Sequence, residues 1–442
     1  MVRSARAHVE FVVNVAARWE AAVRLVTEHR DLLDARPGGG GKGPGKQSRA
    51  MADVPGALVT RGWASFLLAL DDDELAALEI GGHDAAWPSR TPPSLVALAA
   101  AARHVCTLPM VGEAAPAPAP TSGDVIARVP PRRHETPRKR AQIDAFARVI
   151  LPLATSAERV IDVGSGHGHL TREIAERIAR PVIGLDRDDG LAARARSLPS
   201  TASPSFAVTD VLREGLTLTA GDCVVGLHAC GELGDVMVES AARSGAAIAL
   251  VGCCLQKRRA SSRAPLCVGP FDDATARGAL DLPRSVLGLS NLTARDEGVE
   301  ATRAENLAGR ERRLALHRLL EGDGAILQLG AEIGGLNRRA AQHELPLLVA
   351  RAFASRGRPA PSAAAIEEAA SWAREQHAEV RRLSLPRALL ARVLEVLVLV
   401  DRARYLEERG RDVTIGLLFP PNVSARNLVL ASAVSAVSAV SP

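Results

Sequence analysis

A short apolar stretch followed by three closely spaced glycines constrains this chain more than any other part of its sequence. Residues 160–163 have the composition of a buried β-strand, and Gly164, Gly166 and Gly168 follow in a GxGxG pattern. Glycine lets the backbone turn tightly and lets a ligand lie directly on it, because no Cβ takes up the room. The stretch therefore predicts a strand, a cofactor-binding turn and a helix.

Acidic residues at the ends of three predicted strands indicate which cofactor the turn receives. A carboxylate such as Asp162 beside the turn would repel a pyrophosphate, whereas S-adenosylmethionine (SAM) presents an ammonium and a sulfonium. Dinucleotide sites also need a glycine where this chain has His169. Asp186, 22 residues after Gly164, is placed to accept the ribose hydroxyls, and Asp210 to accept the adenine amino group. The predicted SAM site comprises Asp162, Gly164, Ser165, Gly166, Gly168, Asp186, Asp210 and Leu227.

Strand and helix patterns alternate strictly through the middle of the chain. The predicted strands are 159–163, 182–186, 205–208, 223–227 and 247–251, and the predicted helices between them are 169–179, 191–196 and 233–242. Such alternation is typical of a parallel sheet with helices on both faces. Two further apolar segments, 413–419 and 427–431, predict a hairpin that completes the sheet. The fold class is therefore α/β.

Composition changes along the chain predict its domain organisation. Proline- and alanine-rich residues 113–130 read as a linker, and residues 432–442 repeat Ser-Ala-Val and read as a disordered tail. The other predicted parts are a helical N-terminal domain at 1–112, a SAM-binding core at 131–283, a helical insertion at 284–405 and a strand pair at 406–431. Residues 40–46 match most of a phosphate loop, but Gln47 replaces the Mg²⁺-binding hydroxyl, so we predict a Gly-rich loop at 37–48.

Small polar and sulfur-containing residues follow the fourth and fifth strands. His228 and Cys230 follow the fourth strand, and Cys253 and Cys254 follow the fifth, so all four face the ligand crevice of a doubly wound sheet. We interpret them as an acceptor pocket in which His228 takes a proton. The same residue types suit zinc, but adjacent cysteines lack the usual CxxC spacing, and we predict no metal.

The charge of the chain limits its possible partners. The net charge of +5 does not by itself imply nucleic acid, so the clustering of the cations matters more. Two basic runs flank the predicted sheet and would suit a phosphate-bearing acceptor such as RNA, although a solvated Arg-rich surface is an alternative. Their residues are Arg132, Arg133, Arg138, Lys139, Lys257 and Arg258.

The sequence also predicts whether the chain binds a membrane and in which compartment it lies. The longest apolar helical stretch, around 393–400, is cut by Glu395 and is far shorter than the ~20 residues that a bilayer needs. We therefore predict no membrane partner. Six cysteines without a signal peptide are expected to be reduced thiols in a cytoplasmic protein.

Several blocks of the chain resemble the methyltransferase-like protein 25 family, in the same order. Leu-His-Ala-Cys-Gly-Glu-Leu at 227–233 differs from the family's block only at the acid, and Gly-Cys-Cys at 252–254 matches it. Glu-Thr-Pro-Arg-Lys at 135–139, the glycine turn and Ser-Ala-Arg-Asn at 424–427 are similar to further blocks. The double cysteine is also similar to that of tRNA ribose methylating enzymes. Ala141-Gln142 and Leu255 depart from the family's His-Glu and aromatic residues.

This resemblance implies a class I SAM-dependent methyltransferase with a Rossmann-like sheet, a helical N-terminal domain and a helical insertion before the last strand pair. RNA, either tRNA or rRNA, is the expected acceptor. A protein or small-molecule methyltransferase and a non-catalytic scaffold with the SAM fold remain alternatives.

Overall fold

A computed structural model describes residues 13–35, 54–111, 135–269, 278, 280–291, 303–321, 331–334, 336 and 343–433. The predicted loop at 37–48, the predicted linker at 113–130 and all but the first two residues of the predicted tail at 432–442 lie outside these ranges. The chain divides into two compact units, one comprising Met1–Glu28, His104–Asn291 and Ala391–Pro442 and the other His29–Arg103 and Leu292–Leu390. The domain boundaries at 131–283 and 284–405 stay predictions.

A seven-stranded sheet forms the centre of the first unit. The strands in chain order are β1 Arg159–Val163, β2 Val182–Asp186, β3 Ser205–Val208, β4 Asp222–Cys230, β5 Ala247–Cys253, β6 Ser262–Arg263, β7 Leu282–Pro283, β8 Thr414–Leu417 and β9 Leu428–Ser432. The large sheet has the order β3-β2-β1-β4-β5-β9-β8, and β6 pairs with β7 separately. Strands β1 to β5 are parallel, whereas β9 runs antiparallel to β5 and β8.

This sheet confirms the α/β fold class. The strand order reverses between β1 and β4, and such a switch point opens a crevice at the carboxyl ends of the strands. The predicted hairpin is β8 and β9, which extends the sheet beyond β5. Ser432, the first residue of the predicted tail, is the last residue of β9.

Helices cover both faces of this sheet. Those of the first unit are α1 Val15–Glu28, α7 Pro137–Thr155, α8 His169–Arg177, α9 Asp189–Ser197, α10 Val211–Glu214, α11 Glu232–Ser244 and α12 Arg284–Leu287. Apolar residues of α7 and α8, including Phe146 and Ile174, pack with Val160 and Val225 on one face. Helix α11 contacts β4 and β5, and the part of α15 (Ala363–Glu407) after Leu390 also belongs to this unit.

Helix α7 begins four residues before the predicted start at residue 141. Thr136 caps it by accepting a hydrogen bond from the Lys139 backbone N–H at 3.2 Å, and Pro137 occupies the first turn. Ser or Thr before a helix and proline at its first position are strong start signals. The basic run at 138–140 is therefore the first turn of a helix and not a separate surface segment.

The second unit is helical. Its helices are α2 Arg30–Asp34, α3 Gly56–Thr60, α4 Ala64–Leu68, α5 Asp72–Gly81, most of α6 Pro93–Cys106, α13 Arg303–Glu321, α14 Leu345–Ala354 and the first part of α15. Leu316, Leu348 and Phe353 belong to its buried core. Glu79 of α5 accepts hydrogen bonds from Arg381 at 2.9 and 2.7 Å, which ties α5 to α15.

No helix among the described residues is long and apolar enough to cross a bilayer.

Candidate functional site

The turn after β1 is an open cradle at two of its three glycines. Gly164, Gly166 and Gly168 all have positive φ angles, of 76°, 54° and 71°. A Cβ built on Gly164 or Gly166 meets no atom within 4 Å, so the space beside them is free for a ligand. A Cβ on Gly168 would lie 2.4 Å from the Phe206 ring, so that glycine is needed for packing. Ser165 holds the turn against β2 by donating its backbone N–H to Leu185 O at 3.0 Å.

Asp162 is a buried carboxylate directly beneath this turn. It is 2% exposed, and its Oδ2 accepts a hydrogen bond from Thr171 Oγ1 at 2.7 Å. Burial raises the pKa of Asp162 to about 6, and the negative charge of Asp186 acts in the same direction. The positive charge of Lys139 opposes this shift. The pKa of Asp162 stays raised despite the hydrogen bond from Thr171 and the charge of Lys139, so this carboxylate is suited to a cationic ligand group.

Asp186 and Asp210 lie at the ends of the next two strands, as predicted. Asp186 Oδ2 accepts a hydrogen bond from the Gly166 backbone N–H at 2.8 Å, so this carboxylate also shapes the turn. Asp210 caps α10 by accepting from the Leu212 N–H at 3.2 Å. The Thr209 N–H donates to Asp186 O at 2.9 Å, which joins the two acid-bearing segments.

The end of β4 is distorted at His228. Pairing with β5 shifts register between Leu227 and Ala229, and His228 has a φ of 68°. Its Nε2 lies 3.2 Å from Gln142 Oε1, so a proton on Nε2 leaves Nδ1 as an acceptor. Burial lowers the pKa of His228 to about 4, with the charges of Lys139 and Arg138 contributing. The imidazole is therefore neutral at pH 7. Leu227 beside it is buried.

Three cysteines meet at the ends of β4 and β5. Cys230 Sγ and Cys253 Sγ are 2.9 Å apart, and both thiols donate to His228 O, at 3.4 and 3.1 Å. Cys254 follows with a φ of 41°. All three sulfurs lie within 4.8 Å of one another. The neighbouring thiols of Cys230 and Cys253 and the positive charges of Arg426 and Lys257 hold the pKa of Cys254 below its ordinary value.

The glycine after Cys230 explains how these cysteines come together. Gly231 has a φ of 51°, and a Cβ there would lie 2.1 Å from Lys257 O. Only glycine permits this approach, in which the Gly231 N–H donates to Cys253 O at 3.0 Å. The Cys-Gly pair after β4 is thereby fixed against the segment that follows β5.

The predicted basic residues have different surroundings. Lys139 is half-buried near Asp162 and Glu135, and burial lowers its pKa. Arg138 donates to Val423 O at 2.8 Å. Lys257 is exposed, with Nζ 3.8 Å from Cys230 Sγ. Arg132 and Arg133 lie outside the described residues.

Arg258 does not form part of a basic surface. Its side chain is 9% exposed, and Nη1 donates to the buried Asp235 Oδ2 at 3.0 Å. The prediction that Arg258 contacts RNA therefore does not fit its position, because its guanidinium is committed to a buried ion pair.

Two residues near the site have no place in the predicted set. Arg426 acts electrostatically on both His228 and Cys254, and its Nη2 donates to Asn291 Oδ1 at 2.7 Å. Gln142 holds the His228 ring. The Ser-Ala-Arg-Asn block at 424–427 was a sequence signal for Arg426. The departure of Ala141-Gln142 from the family's His-Glu was a signal for Gln142, but its contact with His228, 86 residues further along the chain, was not predicted.

Comparison with known proteins gives a partial match. Residues 138–261 match a family model described as a methyltransferase domain. Magnesium protoporphyrin IX methyltransferase of Synechocystis PCC 6803, crystallised with SAH, shows 20% identity and a TM-score of 0.21 over 25% of this chain and 53% of that chain. Plantazolicin methyltransferase BpumL, crystallised with a triazolic desmethylPZN analog and SAH, shows 14% identity and a TM-score of 0.22 over 34% and 59%.

The chain thus spans little more than half the length of these two enzymes. The domain match at 138–261 covers β1 to β5, the glycine turn and the three cysteines. Together with the sheet order and the open cradle, it supports a methyltransferase domain over these residues.

Proposed function

We propose that this chain is a cytoplasmic SAM-dependent methyltransferase related to the methyltransferase-like protein 25 family, and that its acceptor is RNA. The observation that carries the proposal is the open space beside Gly164 and Gly166, directly above the buried carboxylate of Asp162 and at the sheet's switch point. The six cysteines are free thiols, which supports a reducing compartment.

The charges around the cradle match those of SAM. Asp162 would receive the α-ammonium, Asp186 the ribose hydroxyls and Asp210 the adenine amino group. Lys139 lies near Asp162 and would receive the α-carboxylate of the same methionine moiety. The space beside Gly164 and Gly166, which a Cβ would fill, therefore fits the cofactor.

SAM supplies an electrophilic methyl group, so the protein's main contribution is to position the acceptor and exclude water. His228 is neutral at pH 7 because its pKa lies near 4, and it presents one ring nitrogen as an acceptor. It can therefore accept a hydrogen bond from an acceptor amine or hydroxyl. With a pKa near 4 it takes the proton only as methyl transfer makes the acceptor acidic. Cys230, Cys253 and Cys254 line the same end of the sheet.

RNA is favoured by the cations on the acceptor side. Arg138 and Arg426 act electrostatically on His228, and Lys257 and Arg426 act on Cys254. Arg426 is mostly buried and pairs with Glu395 at 3.8 Å, so Lys257, which is exposed, and Arg138 are the cations that would attract a phosphate backbone. A single-stranded loop is the form of RNA that exposes base atoms or a ribose hydroxyl to such a crevice.

Incubation of the purified chain with methyl-labelled SAM and separate pools of tRNA, rRNA, protein and metabolites tests the proposal. We expect label in an RNA pool, removed by ribonuclease and reduced at least tenfold by His228→Ala. Arg194→Ala, which removes an exposed charge on α9, should leave the label unchanged. Label confined to protein or metabolites would refute the RNA acceptor, and SAM binding without label in any pool would indicate a scaffold.

A further inference from the structure

We propose that Cys230, Cys253 and Cys254 bind a zinc ion that keeps one coordination position open. This inference goes beyond the proposed methyl transfer and does not depend on it. The sequence argued against a metal because Cys253 and Cys254 are adjacent and lack CxxC spacing. The structure removes that objection, since the third sulfur comes from the neighbouring strand: Cys230 of β4 pairs in register with Cys253 of β5.

The spacing of the sulfurs fits one small ion. Zinc–sulfur bonds of about 2.3 Å in a tetrahedral site place two sulfurs about 3.8 Å apart. The three sulfurs here all lie within 4.8 Å of one another. Cys230 Sγ and Cys253 Sγ, at 2.9 Å, need to separate by only about 0.9 Å. An iron–sulfur cluster contains several metal ions and would need its cysteines further apart.

The chemistry of the ligands selects the same metal. Thiolates are soft ligands that favour Zn²⁺ over Mg²⁺, Ca²⁺ or Mn²⁺. Three thiolates around a dication leave one net negative charge. Lys257 Nζ lies 3.8 Å from Cys230 Sγ, and the positive charge of Arg426 acts on Cys254. These two cations offset the excess charge of the site.

Burial indicates where the open position lies. Cys253 is buried, whereas Cys230 and Cys254 are half-exposed, so an ion enters from the side of those two. Within the described ranges, no fourth histidine, cysteine or carboxylate joins the group. Closed structural zinc sites have four protein ligands, whereas catalytic sites have three and bind water or substrate in the fourth position. The fourth position here would take a water or a donor atom of the acceptor.

The backbone adopts strained conformations next to the three sulfurs. His228 and Cys254 are the non-glycine residues with positive φ among the described residues. His228 lies two residues before Cys230 on β4, and Cys254 is itself one of the three cysteines. Strained residues persist where the surrounding structure imposes them, and they concentrate at functional sites. The bulge at His228 sets the register that brings Cys230 opposite Cys253.

Metal analysis of the untagged, full-length, reduced chain tests the inference. The protein is equilibrated with Zn²⁺, freed of unbound metal and analysed by mass spectrometry of its metal content, and a second sample is loaded with Co²⁺. We expect one ion per chain and a thiolate-to-cobalt charge-transfer band. Cys230→Ser and Cys254→Ser should each lower zinc affinity at least tenfold, because even outer partners of metal ligands are worth about 10–100-fold.

Cys223→Ala is the matched control, because Cys223 lies on the same strand as Cys230 but at its amino end. It should retain one zinc. Melting curves show which variants fold. If Cys253→Ser fails to fold because Cys253 is buried, Cys254→Ser tests the inference in its place. Retention of less than a tenth of an equivalent by the wild-type chain would overturn the inference. Full zinc retention by both Cys230→Ser and Cys254→Ser would do so too. None of these readouts requires SAM binding or methyl transfer.

Discussion

The three glycines of the turn have different roles, which their even spacing in the sequence does not reveal. Gly166 faces open space, whereas Gly168 faces the Phe206 ring. Alanine at 166 costs about 1–2 kcal/mol of backbone strain and fills part of the cradle. We expect Gly166→Ala to weaken SAM binding roughly tenfold or more while lowering the melting temperature only slightly.

Gly168→Ala adds a clash to the same strain, so we expect a loss of about 2–4 kcal/mol of unfolding free energy. Calorimetric SAM titration and thermal unfolding of the two variants separate the two roles. Equal SAM affinity in Gly166→Ala and the wild-type chain would show that the ligand does not lie on this turn.

The raised pKa of Asp162 makes SAM affinity depend on pH. With a pKa of about 6, this carboxyl is charged at pH 7.5 and mostly neutral at pH 5. A neutral carboxyl no longer attracts the α-ammonium, so we expect the dissociation constant for SAM to rise below pH 6, approaching about tenfold per pH unit. Titrations between pH 5 and 8 measure this dependence.

Asp162→Asn is the control, since it should bind SAM weakly at every pH and show no inflection near 6. An unchanged wild-type affinity from pH 5 to 8 would exclude contact between this carboxylate and the ammonium.

At the scale of elements, a buried ion cluster ties α11, β6 and α15 together. Asp235 accepts hydrogen bonds from Arg402 Nε at 2.9 Å and Arg263 Nη2 at 3.0 Å, and Arg263 also pairs with Asp401. Burial works to raise the pKa of Asp235, but the charges of Arg263 and Arg402 outweigh it and hold the pKa below its usual range. This cluster fixes the final helix against the face of the sheet that α11 covers.

Because removal of Asp235 leaves buried arginines uncompensated, we expect Asp235→Ala to lower the unfolding free energy by about 3–5 kcal/mol. Arg259→Ala removes a partner of the Arg259–Glu232 pair, whose arginine is 58% exposed, and should cost less than about 1 kcal/mol. Denaturant unfolding measures both. Similar losses in the two variants would contradict the structural role of the cluster.

The sequence predicted the helices and strands better than it predicted the contacts between them. Strands β1, β2 and β3 have their predicted bounds because apolar runs ending at turn residues are local signals. The start of α7 was wrong because a cap and a proline were read as part of a basic surface run. The sequence predicted that Cys230, Cys253 and Cys254 share one crevice. It did not predict that Cys230 and Cys253 lie opposite each other, because that depends on the register of two paired strands. The burial of Arg258 depends on a partner, Asp235, that no spacing rule identifies.

At the scale of the whole molecule, the net charge is too small to attract RNA by itself. A net charge of +5 over 442 residues gives little general attraction to nucleic acid, so the proposed RNA contact depends on a few cations near the crevice. We expect Lys257→Ala to weaken RNA binding and to reduce the slope of log K against log salt by about 1. Arg194→Ala makes the same charge change on α9, which packs on β2 and β3, and should have no effect. An equal effect of both variants would indicate non-specific attraction.

Calorimetric titration of the full-length chain with SAM tests the central claim most directly. The account predicts one binding site per chain, a loss of affinity of at least tenfold in Asp186→Ala, and unchanged affinity in Asp189→Ala, an exposed acid three residues further along. Absence of SAM binding to the folded wild-type chain, or equal affinity in both variants, would contradict it.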